Sequence, residues 1–76
     1  MTPHQDIKLT QILVDVAQEH GVDTHWLKYG GQTRVLVGMR REVAQKARAL
    51  GYSLPAIGWL LGRHHTTIMN LLRVKL

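Results

Sequence analysis

The amino-acid sequence predicts an all-α fold: one compact helical domain over residues 1–76 whose last two helices form a helix-turn-helix. Three observations carry that prediction. Apolar residues recur at three- and four-residue intervals through most of the chain, the period of a helix with one buried face. Glycines 21, 30–31, 51 and 62 stand just past those periodic stretches, where a helix commonly ends in a left-handed residue. No stretch alternates apolar and polar residues in the two-residue period of a half-buried strand.

The elements follow in order. Thr2, Pro3 and Gln5 read as a capping box, with a hydroxyl at the N-cap, proline at the first helical position and an amide two residues later. Ile7, Leu9, Ile12, Leu13, Val16 and Ala17 then keep helical spacing, and Gly21 with Val22 closes a first helix of about 3–20. Asp23 or Thr24 caps a short second helix carrying Trp26 and Leu27, which ends at Gly30–Gly31. From Thr33 to Leu50 the pattern is helical again: Leu36, Val43 and Leu50 lie seven apart, with Met39 and Ala47 between them. Arg34, Arg41 and Arg48 are also seven apart, two residues out of step with that stripe and so nearly opposite it. Gly38 weakens the middle of this segment and leaves open a break into a short helix and a long one. Ser53 and Pro55 restart a helix, Ile57, Leu60 and Leu61 bury it, and Gly62 stops it. A last helix of about 64–75 is buried through Ile68, Leu71 and Leu72. Trp26 and Trp59 sit among apolar neighbours and read as core anchors, and Tyr29 and Tyr52 as helix-end packing.

Charge narrows the function. The chain carries a net +5, unevenly spread. Residues 1–32 balance to −2, whereas residues 33–76 hold eight Lys or Arg against Glu42 alone, a balance of +7. Positive charge gathered in one half of so small a domain is the electrostatic footprint of a polyanion binder. The chain has no cysteine, hence no disulfide framework or thiolate metal site. No apolar run reaches the ~20 residues a membrane span needs, and the N-terminus lacks signal-peptide features, which points to a cytoplasmic protein.

Residues 53–75 have the layout of a helix-turn-helix: a short helix, a glycine, a turn of about three residues and a second helix. The first turn of that second helix is polar, with His64, His65, Thr66 and Thr67, while its apolar residues come later. Short polar side chains there can reach base edges in a major groove, and threonine methyls can touch thymine.

The run SLPAIGWLLGRHHTTIMN resembles the signature of the C-terminal DNA-binding domain of the DnaA replication initiators. That signature reads Ser-Leu-Pro-Glu-Ile-Gly, a few residues, then Gly-Arg-Asp-His-Thr-Thr-Val. The likeness extends upstream through Arg41-Glu42-Val43-Ala44 and Ala47-Arg48 to the first helix and its Gly21-Val22 stop, so it covers nearly the whole chain. The resemblance implies a Trp-repressor-like or initiator-like helical fold and double-stranded DNA as partner, read as a short AT-rich box. It implies major-groove contacts from His65, Thr66 and Thr67, a phosphate or near-groove contact from Arg63, and a minor-groove arginine at Arg40 or Arg41 with Arg34 assisting. Arg48 joins these on the basic face.

The departures are informative. His64 stands where the signature has Asp, an acceptor replaced by a ring that can donate, accept or carry charge. A protonated His64 beside phosphate would make binding tighten as pH falls. The linker before Ser53 is one residue shorter than in the family, and the usual Arg-Pro-Arg-Gln run is Met39-Arg40-Arg41-Glu42. No glycine loop ending in Lys-Ser/Thr is present, so the family's ATPase module has no counterpart in this sequence.

Other chemistries find little support. His64 and His65 are adjacent and point about 100° apart on a helix, a poor pair of ligands for one metal ion. Nothing places a nucleophile beside a base, so no catalysis, cofactor, small-molecule substrate or membrane partner is expected. Two functions remain: sequence-specific duplex binding in replication or transcription, or a protein-interaction decoy that engages the initiator's partners instead of DNA. Replication or transcription proteins are possible further partners in either case. A free-standing copy of such a domain points to a phage or mobile element.

Overall fold

The computed structural model describes residues 7–73, which form five helices and no strand. These are α1 (Ile7–His20), α2 (Thr24–Tyr29), α3 (Arg34–Ala49), α4 (Leu54–Leu61) and α5 (His65–Arg73). The expected Thr2–Gln5 capping box and the end of the last helix at residue 75 lie outside the described residues.

Side-chain oxygens satisfy N–H groups at three helix starts. Asp23 Oδ1 accepts from His25 N–H at 2.8 Å, Thr33 Oγ1 from Leu36 at 3.2 Å, and Ser53 Oγ from Ala56 at 3.2 Å. Pro55 falls in the first turn of α4, where a missing N–H breaks no intrahelical bond. Helices α1, α3 and α4 each stop on a glycine with positive φ: Gly21, Gly51 and Gly62. At Gly62 (φ +65°) the stop is completed by Arg63 N–H donating to the Gly58 carbonyl at 2.8 Å, which turns the chain sharply out of α4.

α3 is the central spine, packed by α1 on one side and α5 on another, while α4 lies mainly on α5. One core joins all five helices: Leu9, Leu13 and Val16 from α1, Leu27 from α2, Met39, Val43, Ala44 and Ala47 from α3, Ile57, Leu60 and Leu61 from α4, and Ile68 and Leu71 from α5. Gly38 does not divide α3. A mid-helix glycine costs about 1 kcal/mol against alanine, less than the burial of the apolar residues that follow it.

Some apolar expectations do not hold. Trp26 and Trp59 are 55% and 49% exposed, not core anchors, and Tyr29 is 70% exposed. The six-residue α2 turns only Leu27 fully inward, so its aromatic side chains have no core to enter. Trp59 instead lies under the ammonium of Lys28, 5.7 Å from the ring centre. Leu50 caps the end of α3 and is 67% exposed, and Leu72 packs only partly against the core.

At the C-terminal half of α3, an ion-pair clasp ties it to α1. His20 Nε2 lies 3.1 Å from Glu42 Oε1, and Lys46 Nζ lies 3.4 Å from both Glu19 Oε1 and Glu42 Oε2. The His20 hydrogen bond, helped by Lys46 and opposed by burial, holds the Glu42 carboxyl below its ordinary value. The unfolded chain therefore takes up the proton first. Stability from this clasp is present above the ordinary carboxylate range and is lost as pH falls through the lowered value.

Ile68 is fully buried and Leu72 only partly so, which separates their energetics. Ile68→Ala should cost about 2–5 kcal/mol in denaturant unfolding, and Leu72→Ala distinctly less. Equal losses would contradict this packing.

Candidate nucleic-acid interface

The site is built on the turn Gly62–His64 and the first turn of α5. Two constraints shape it. α4 touches the turn through Gly58: a Cβ at that position would stand 2.5 Å from the Arg63 carbonyl oxygen and 3.4 Å from His65 N. Only glycine allows this approach, which sets the distance between the two helices of the motif. Ile57, Leu60 and Leu61 then meet Ile68 and Leu71 in the core, so one face of α5 is buried and its N-terminal turn projects outward.

His64, His65 and Thr66 are exposed and Thr67 half-buried. The rings of His64 and His65 lie with centroids 4.2 Å apart, tilted 37° to one another. His64 directly precedes α5 and acts as its N-cap: Thr66 N–H donates to His64 Nδ1 at 3.3 Å, and Thr66 Oγ1 lies 2.9 Å from the same nitrogen. A proton on Nδ1 would remove this cap.

The arginines divide by environment. Arg40 is 2% exposed, with four hydrogen bonds to backbone carbonyls. Its Nε donates to Leu27 O at 2.7 Å, Nη1 to Gly31 O at 2.9 Å, and Nη2 to Gly30 O at 2.7 Å and Trp26 O at 3.2 Å. A guanidinium so placed cannot enter a minor groove, so the Arg40 alternative is corrected: this arginine is an internal tie. The last carbonyls of a helix lack intrahelical partners, and in the short α2 Arg40 supplies them. Burial lowers its pKa, as does the nearby charge of Arg63, yet an arginine remains charged in a protein.

Arg63 completes the tie from the other side. Its Nη1 donates to Lys28 O at 2.7 Å and its Nη2 to Gly30 O at 3.3 Å. The signature arginine therefore joins the helix-turn-helix turn to the end of α2, with its guanidinium turned toward carbonyls. Arg41 is half-buried, its Nε bonded to Leu71 O at 3.0 Å, which anchors α3 against the C-terminal end of α5. Arg34 and Arg48 are exposed, the latter donating to Tyr52 O at 2.7 Å. The periodic Arg34–Arg41–Arg48 row is thus a row in sequence, with its middle member held against α5.

Comparison with known proteins agrees with this geometry. Residues 40–73 match a family described as a helix-turn-helix domain. Over 65 residues, 84% of its length, the chain is 34% identical to the chromosomal replication initiator protein DnaA of Deinococcus radiodurans. The chain is a DnaA-like helix-turn-helix domain. It spans 14% of the length of that relative. No solved structure matches the chain. The helix-turn-helix and the likeness to DnaA together support DNA binding. Among the described residues, no helix of this DnaA-like domain is long and apolar enough to cross a membrane.

Two functional residues could not be assigned correctly from sequence alone. Arg40 reads as a candidate for the minor-groove arginine, and nothing local shows that α2 ends beneath it. Gly58 carries no signal of its own in the sequence, and only the turn packed on it shows what it does. Arg40→Met should therefore lose about 2 kcal/mol or more in denaturant unfolding, because the Leu27 and Gly31 carbonyls lose their partner at ~1–3 kcal/mol each, while Trp26 O keeps the Gly30 N–H and Gly30 O keeps Arg63. Arg40→Lys should rescue little, since an ammonium cannot reproduce the planar fork of donors. A stable Arg40→Met variant would show that the tie is dispensable.

Proposed function

We propose that this domain binds a short, DnaA-box-like site in double-stranded DNA and serves regulation of replication or transcription by occupying it. The observation that supports this reading best is the first turn of α5. It is polar and largely solvent-exposed on a helix whose opposite face packs into the core through Ile68 and Leu71. That turn enters the major groove, Thr66 and Thr67 read base edges with His64 and His65, and the N-terminal amides of α5 favour phosphate. Arg34, Arg48 and the free guanidinium nitrogens of Arg41 lie on the basic half as candidates for phosphate contact. Arg63 holds the recognition turn in position and adds positive potential.

A second reading is favoured by one observation. Trp26 and Tyr29 expose aromatic surface on α2, with the His25 ring 5.0 Å from that of Tyr29. Such a patch suits a protein partner. Replacing Trp26 and Tyr29 together by Ser should leave DNA affinity unchanged under the first reading and abolish partner capture under the second.

Selection of bound duplexes from a random pool tests the main proposal directly, and a single enriched box is the expected result. On that box Thr66→Ala and Thr67→Ala should each cost about 1–3 kcal/mol, with little effect on random DNA. Equal losses on both DNAs would argue against base reading. Arg34→Ala and Arg48→Ala should weaken binding to all sequences alike, and each should shallow the salt dependence by roughly one unit per lost phosphate contact.

A further inference from the structure

We infer that His64 and Thr66 form one hydrogen-bonding unit whose polarity is set by the capping of α5, so that the recognition turn presents a donor at His64 Nε2 and an acceptor at Thr66 Oγ1. The consequence for DNA rests on the reading proposed above; the polarity itself rests on the free structure.

The argument starts from an amide. The backbone N–H of Thr66 can only donate, and it points at His64 Nδ1 from 3.3 Å. Nδ1 must then carry a lone pair, and the single proton of the neutral imidazole sits on Nε2. Thr66 Oγ1 stands 2.9 Å from the same lone-pair nitrogen. With Nδ1 holding a lone pair and no proton, the hydroxyl is the donor of this contact, which leaves the oxygen lone pairs facing outward. Both side chains are exposed, so both outward atoms are available to a ligand.

The two outward atoms are complementary to different base edges. His64 Nε2–H suits the acceptors of a major groove: guanine N7 or O6, adenine N7, or thymine O4. Thr66 Oγ1 suits an exocyclic amino group, on adenine or cytosine. The pair therefore discriminates as a unit, and Thr66 takes its polarity from its neighbour. A threonine free to rotate would accept either kind of base edge.

One proton reverses the arrangement. With Nδ1 protonated, the ring donates to Thr66 Oγ1, the Thr66 amide loses its cap, and the Thr66 hydroxyl is freed to donate outward. Thr66 then prefers a base acceptor. The groups around His64 are the His65 ring, tilted against it, and Arg63, whose guanidinium turns toward the α2 carbonyls. Lys28 is held over Trp59, and α2, α4, the turn and α5 contain no Asp or Glu. α3, also packed on α5, carries Arg41, whose Nε donates to Leu71 O, and Glu42, which is engaged by His20 and Lys46; the start of α5 adds a positive partial charge.

Long-range proton–nitrogen NMR on the full, nitrogen-labelled chain without DNA tests the first half. The expected spectrum shows His64 protonated at Nε2 and not at Nδ1, and a ring protonated at Nδ1 would overturn the inference. Site selection at pH 8 and at pH 5.5 tests the second half. At pH 8 the base pair facing Thr66 should be preferred about tenfold for its amino group, and that preference should fade or invert at pH 5.5. His64→Asn retains a side-chain acceptor for the cap but has no titrating proton, so its preference at that pair should be the same at both pH values. His65→Asn should leave the pH-dependent change in place. If His64→Asn kept the change, the unit would not be its source. If the chain retained no duplex at either pH, the DNA-binding reading would fail and base discrimination with it, while the tautomer would be judged by NMR alone. Duplex retention with a proton on Nδ1 would instead leave DNA binding standing and defeat only this inference.

Discussion

The guanidinium of Arg40 at the end of α2 is the interaction on which the arrangement depends. A helix of six residues cannot bond its own last carbonyls, and burying them unpaired would cost several times the net value of a hydrogen bond. Arg40 answers four carbonyls from Trp26 to Gly31 with one planar fork. The backbone between α2 and α3 is thereby drawn against the spine, close enough for Arg63 to reach Lys28 O and Gly30 O from the opposite direction. Two like charges share one carbonyl cluster and repel, as the lowered pKa of Arg40 shows, but each donates to a set of backbone carbonyl dipoles that offsets the repulsion. The orientation of the recognition turn follows from this double attachment.

The helix-turn-helix adds its own constraint. Gly58 lets α4 come into contact with the turn, and Gly62 redirects the chain at a backbone angle that other residues rarely adopt. Between these glycines and the Arg63 tie, α5 has little freedom to roll or slide. That rigidity matters for a recognition element, because base edges distinguish donors from acceptors over distances of an ångström or less. The polar first turn can then be almost wholly exposed without being loosely placed. His64 extends the same economy to the side chains, capping the helix with one ring nitrogen and presenting the other to solvent.

Much of the fold was legible in the residues themselves. Gly21, Gly51 and Gly62 marked helix ends, and Asp23, Thr33 and Ser53 marked helix starts. The apolar spacing on either side of Gly62 identified Ile57, Leu60, Ile68 and Leu71 as facing one core. These features are local, written in backbone conformation and helical period, and need no knowledge of neighbours. The DnaA-like signature was legible for the same reason, since its residues are contiguous. What sequence could not supply was the fate of side chains with two possible habitats. Trp26 and Trp59 are apolar enough for a core and amphipathic enough for a surface, and α2 proved too short to give Trp26 an interior.

The basic residues show the division most clearly. Charge distribution by itself determined that one half of the chain is strongly positive, because a sum of charges does not depend on where each one points. Which arginines face outward was decided only by tertiary structure. Arg40, Arg41, Arg48 and Arg63 are chemically identical, yet one is buried on carbonyls, one anchors α5, one lies on the surface and one ties the turn to α2. A guanidinium goes wherever unpaired carbonyls meet it, and carbonyls from Trp26 to Gly31 meet Arg40 and Arg63 only once the helices are packed.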